Sequence, residues 1–122
     1  MKGWYRVSGR ILDKKTGRPI PNLGIRGYDR DLVHDDCLGE TYTDVYGAYE
    51  ILFQEKDFKG LFEGQPEIYR VLYSNEGEEV LRTEAVQMRR GRQSISLNLV
   101  VELPEPTEES PKAGSGSRAP VV

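Results

Sequence analysis

"WYRVSGRILDKKTGRPIPNLGI", Trp4 to Ile25, decides the fold class. Its opening run alternates, with Tyr5, Val7 and Ile11 on one face, which is the pattern of a strand with one buried side. "DKKTGRPIP" then interrupts it, because Gly17 and two prolines punctuate a turn. A second run, "NLGIRGYD", follows with Leu23 and Ile25 inward. A helix would need apolar residues at helical spacing over eleven or more positions, and no segment offers that.

The same grammar extends outward. "LGETYT" is a short third run, and "TDVYGAY" fits a type I turn with Asp44 at the first position and Gly47 at the fourth. "AYEILF" places Tyr49, Ile51 and Phe53 on one side. In "QEKDFKGLFEGQP", Phe58, Leu61 and Phe62 predict a flap or helical turn over one end of the core. "EIYRVLYS" and "EEVLRTEAV" flank "NEG", a hairpin loop with glycine where a left-handed residue is needed. "SISLNLVVE" alternates through Ile95, Leu97 and Leu99. These seven runs predict an all-β fold: a seven-stranded antiparallel Greek-key β-sandwich over residues 1–103.

Beyond it, "PEPTEESPKAGSGSRAPVV", residues 104–122, has too little apolar surface to offset the entropy of ordering, so a disordered tail or linker is expected. Such a tail suits a module belonging to a larger protein. The net charge of −3 leaves no basic footprint for nucleic acid, and Arg89, Arg90 and Arg92 read as a short surface loop. Cys37 is the sole cysteine, so no disulfide forms within the chain. No apolar run follows Met1, which argues against a signal peptide or membrane span and places this chain, taken alone, in the cytoplasm.

The order of Val7, Gly9, Ile11, Asp13, Thr16, Gly17, Pro19 and Ile20, then Thr43, Asp44, Gly47 and Tyr49, resembles the transthyretin-like, or carboxypeptidase regulatory-like, β-sandwich. The resemblance covers roughly residues 5–101. It implies a scaffold, since these residues serve turns and strand exits. Two enzyme groups share that sandwich. The hydroxyisourate hydrolases carry an N-terminal histidine and a terminal Tyr-Arg-Gly-Ser motif. The intradiol dioxygenases hold iron with two tyrosines and two histidines. This chain has only His34, in the acidic loop, and "QPEIYRV" offers no histidine, so neither activity is expected. A dyad of Cys37 and His34 would suffer from neighbouring carboxylates that raise the thiol pKa, and Cys37 reads as a half-buried residue beside Leu38. No catalytic residue is assigned.

"YDRDLVHDDCLGETYTD", Tyr28 to Asp44, holds five aspartates. Asp29 and Asp31 end a strand, and Asp35 and Asp36 follow after a short gap. The layout is similar to a loop of calcium-dependent membrane-binding sandwiches of the synaptotagmin type. Calcium takes about six to eight oxygen ligands, so Asp29, Asp31, Asp35 and Asp36 form a hypothetical calcium site. The alternative is a solvated acidic connection with no cofactor. Three functions follow: a non-catalytic interaction or structural module serving a protein partner or neighbouring domain, a calcium-binding recognition sandwich, and, third, a hydrolase on the same scaffold. Oligomerisation by edge-strand pairing is a further expectation.

Overall fold

The computed structural model describes residues 3–31, 34–57 and 65–103. It is an all-β sandwich. Among the described residues nine strands run in chain order: β1 (Trp4–Asp13), β2 (Gly24–Asp29), β3 (Asp36–Tyr42), β4 (Ala48–Gln54), β5 (Glu67–Tyr73), β6 (Glu79–Arg82), β7 (Val86–Gln87), β8 (Ser94–Ser96) and β9 (Leu99–Val101). One sheet has the order β4-β1-β8, with β9 also on β1; the other is β3-β2-β5-β6, with β7 also on β5. The flap expected around Phe58, Leu61 and Phe62, and the tail from residue 104, lie outside the described residues.

Alternation fills the space between the sheets. Tyr5, Val7 and Ile11 are buried from β1, and Tyr49, Ile51 and Phe53 from β4. Register pairs Tyr5 with Phe53, and their rings stack at 5.5 Å. Such a cross-strand aromatic pair contributes about 0.5–1.5 kcal/mol beyond area burial. Ile25, Ile68 and Leu72 meet them from the other sheet.

Two expectations change. The sandwich is not antiparallel throughout: β1 pairs with β8 and β9 in parallel. β4 runs antiparallel to β1 while both pieces of the last run lie parallel to it on its other side, so the first and the last run point the same way as neighbours. The sixth and seventh runs are also each broken in two, which raises the count from seven strands to nine. In the last run the break falls at Leu97 and Asn98. The Asn98 side chain accepts the Arg10 amide at 2.9 Å, and the Leu97 amide donates to the Ser8 carbonyl at 2.7 Å. Gly9 makes this possible, because a Cβ there would lie 2.1 Å from the Leu97 carbonyl oxygen.

The corner motifs behave as turn chemistry. The Asp44 carboxylate accepts the Tyr46 and Ala48 amides at 2.8 and 3.0 Å. Gly47 closes this turn at a φ of 73°, with its would-be Cβ 2.6 Å from the Ile11 carbonyl oxygen. The buried Thr43 hydroxyl accepts the Leu23 amide at 2.9 Å and donates to the Ile20 carbonyl at 2.6 Å. One side chain thus satisfies two backbone groups that have left their ladders.

Candidate functional site

The outer face of the five-stranded sheet carries a polar and aromatic arrangement. On β2, Ile25, Gly27 and Asp29 turn inward, which leaves Arg26 and Tyr28 outward. Register sets Tyr28 opposite Tyr69 and Arg26 opposite Val71, which in turn faces Arg82 on β6. The Tyr28 and Tyr69 rings stack at 5.2 Å with 15° between their planes. Arg26 lies 4.8 Å over the Tyr73 ring, and Arg82 lies 5.6 Å from the Tyr69 centroid. The result is an aromatic strip flanked by two guanidinium groups, in which Tyr28 and Tyr73 are partly exposed and Tyr69 is buried.

Beside this strip, at the break between β6 and β7, an open hollow of about 460 Å³ is lined by Arg30, Asp35, Tyr69, Arg82, Thr83, Glu84 and Ala85. The Tyr69 hydroxyl donates to the Asp35 carboxylate, which also accepts the Asp31 amide at 3.1 Å. Those two bonds, with smaller help from Arg30 and Arg82, hold the Asp35 carboxyl below its ordinary range. Burial, followed by the bond to Asp35, pushes the Tyr69 phenol up to about 12.

The other expected metal ligands go different ways. Asp29 is buried at the end of β2, where it accepts the Glu67 amide at 2.9 Å. Burial raises its pKa to about 6, opposed by that amide and reinforced by the charges of Asp36, Asp31 and Glu67. Asp36 lies 3.5 Å from His34. Among the described residues, no group of three or more His, Cys, Asp or Glu side chains is placed to hold a metal ion. Within the acidic stretch the structure joins Asp35 to the Asp31 amide and sends Asp29 inward.

Cys37 is exposed rather than half-buried. It sits on β3, an edge strand of its sheet, where alternation turns Leu38 in and Cys37 out. A shift of register between Gly27 and Tyr28 marks a bulge there.

The amino-acid sequence assigns no role to Arg26, Tyr28, Tyr69, Tyr73 or Arg82. A signal for two of them was present: Tyr69 and Tyr73 share one face with Val71 by alternation, opposite the face of Ile68 and Leu72. It becomes a site only when register brings Tyr28 and Arg82 alongside.

No family model and no curated protein sequence matches the chain. Solved structures do resemble it. A 9R-lipoxygenase from Cyanothece PCC8801 is similar over 89% of this chain with a TM-score of 0.61 and 17% identity. The chain spans only 18% of that lipoxygenase's length. The dioxygenase domain of a dioxygenase carbohydrate-binding protein fusion from Streptomyces sp. SirexAA-E is similar over 83% of this chain and 80% of its own, with a TM-score of 0.51 and 11% identity. At these identities the likeness shows a shared β-sandwich fold.

Proposed function

We propose that the chain is a non-catalytic β-sandwich recognition module of the transthyretin-like type, acting as an accessory unit of a larger protein or assembly. The observation that carries this reading is the Tyr28–Tyr69 stack with Arg82 beside it and the Arg26–Tyr73 pair next to it, all on one outer sheet face. Tyrosine and arginine dominate binding hot spots, because each offers large contact area and a polar end at modest entropic cost. Here register and stacking already hold both residue types in place, so less ordering remains to be done on binding.

Further support comes from the fold's use as a small share of a lipoxygenase chain, which suits a module attached to other machinery. The transthyretin-like assignment draws on Thr43, Asp44 and Gly47, which shape the corners as that resemblance implies. The absence of catalysis is inferred from the donor set. His34 is the chain's sole histidine, and its side chain is 77% exposed beside Asp36.

Hydroxyl-radical footprinting tests the reading without knowledge of the partner. Oxidation of Tyr28 and Tyr73 should be several-fold slower in extracts of the source cells than in the purified chain. Tyr46, exposed on the turn between β3 and β4, should react alike in both. Equal rate ratios at all three tyrosines would overturn the proposal.

A further inference from the structure

We propose that the hollow at the break between β6 and β7 binds a neutral, polyhydroxylated ligand, a carbohydrate chain, between Arg82 and Asp35. This inference rests on the recognition reading and gives its ligand a chemical class.

The hollow is built into the strand edge. β6 pairs with Val71–Tyr73 and β7 with Glu67–Ile68, so Arg70 is left between them without a ladder partner on that side. Thr83 takes that place: its amide donates to the Arg70 carbonyl at 2.9 Å, and its hydroxyl accepts the Arg70 amide at 2.9 Å. A side chain completes the hydrogen bonding that a continuous strand would supply. Glu84 and Ala85 leave the ladder at no cost in unsatisfied groups on β5. The space they border is open on the sheet's outer side, and its volume of about 460 Å³ falls within the range of small-molecule sites.

The walls decide the ligand's chemistry. Arg82 is held by Glu79 through two bonds of 3.1 and 3.3 Å, and Arg30 faces Glu67 at 3.4 Å. Asp35 is fixed by the Tyr69 hydroxyl and the Asp31 amide, within reach of the charges of both arginines. Each cation already faces an anion, and Asp35 and Glu84 add two more carboxylates, so an anionic ligand would meet repulsion while the two arginines oppose a cation. A vicinal diol has no such difficulty. Each hydroxyl both donates and accepts, so one pair can accept from the Arg82 fork and donate to Asp35 or to the exposed Glu84. The Ala85 methyl, partly exposed at the wall of the hollow, offers apolar contact to ring C–H groups.

Amide chemical shifts of the ¹⁵N-labelled full chain test this. The probes are xylohexaose, cellohexaose and maltohexaose, each at about 10 mM, above the millimolar Kd expected of an open polar site. Inorganic phosphate and trigalacturonate serve as anionic controls. At least one neutral oligosaccharide should shift the amides of Arg30, Asp35, Tyr69, Glu84 and Ala85. Arg82→Gln should weaken that response about tenfold. Ala85→Trp fills the hollow from a partly exposed position and should abolish the response with the melting temperature retained. The proposal is overturned if no neutral probe shifts these amides, if the shifts fall elsewhere, or if only the anions bind. Protection of Tyr28 and Tyr73 in the footprint, together with silence toward all three oligosaccharides, removes the carbohydrate and leaves the recognition reading standing.

Discussion

The Arg70 guanidinium crosses the core to the opposite sheet, with Nη1 3.1 Å from the Tyr49 hydroxyl and 3.1 Å from the Leu97 carbonyl oxygen. The Tyr49 hydroxyl donates to the same carbonyl at 2.7 Å. Arg70 is 4% exposed, and its Nε has no hydrogen-bond partner. A buried charge with an unanswered donor is costly, and replacing such a group by an apolar one of similar shape is often neutral or stabilising. Arg70→Met should therefore raise stability by about 1–3 kcal/mol in urea unfolding, since Tyr49 still satisfies Leu97. Tyr49→Phe should cost about 1–3 kcal/mol, because it strips a partner from the charge, and should cost less in the Arg70→Met background. A large destabilisation by Arg70→Met would contradict the reading.

Gly9→Ala should cost about 3 kcal/mol, because the new methyl would sit 2.1 Å from the Leu97 carbonyl oxygen, a backbone atom with little room to retreat. The loss should appear together with faster amide exchange at Leu97, whose proton is held by Ser8. A cost below about 1 kcal/mol would show that the last strand moves freely.

Thr43→Val should cost about 2–4 kcal/mol, since it strands the Leu23 amide and the Ile20 carbonyl inside the protein. Thr43→Ser keeps both bonds and should recover most of that. Equal losses in the two variants would assign the effect to the methyl group instead.

Asp29 makes stability depend on pH. Its pKa rises from 3.8 to about 6 on folding, so the folded state holds the proton more tightly than the unfolded chain. Its favourable contribution is full below about pH 4 and is lost as pH rises through about 6, a change of at most about 3 kcal/mol. Asp29→Asn keeps an acceptor for the Glu67 amide and removes the charge. Its advantage over the parent chain should be small at pH 4, grow through pH 6 and level off above it. Thermal melts at pH 4 and pH 8 that differ equally between the two proteins would refute this.

Several of these features were legible beforehand. Tyr5, Val7 and Ile11, then Tyr49, Ile51 and Phe53, were placed inward by alternation, and all six are buried. The "NEG" loop also closes as expected, with Gly77 at a φ of 84° and its amide on the Ser74 carbonyl. Arg70 was partly legible. Alternation puts it on the face of Ile68 and Leu72, but nothing in one strand supplies the carbonyl that would receive it. The acidic stretch read as a single cluster, because sequence spacing says nothing about depth, and Asp29 proved buried while Cys37 faces out.

By itself, the amino-acid sequence determined that this chain folds as a β-sandwich, and it determined which apolar side chains of β1 and β4 face inward. Side-chain direction along a strand is a local property that repeats every two residues. Tertiary structure alone decided that β1 lies beside β8 and β9, that Leu97 meets Arg70, and that Tyr28 stacks on Tyr69. Those relations join residues far apart in the chain, and they exist only after the sheets have chosen their order and register.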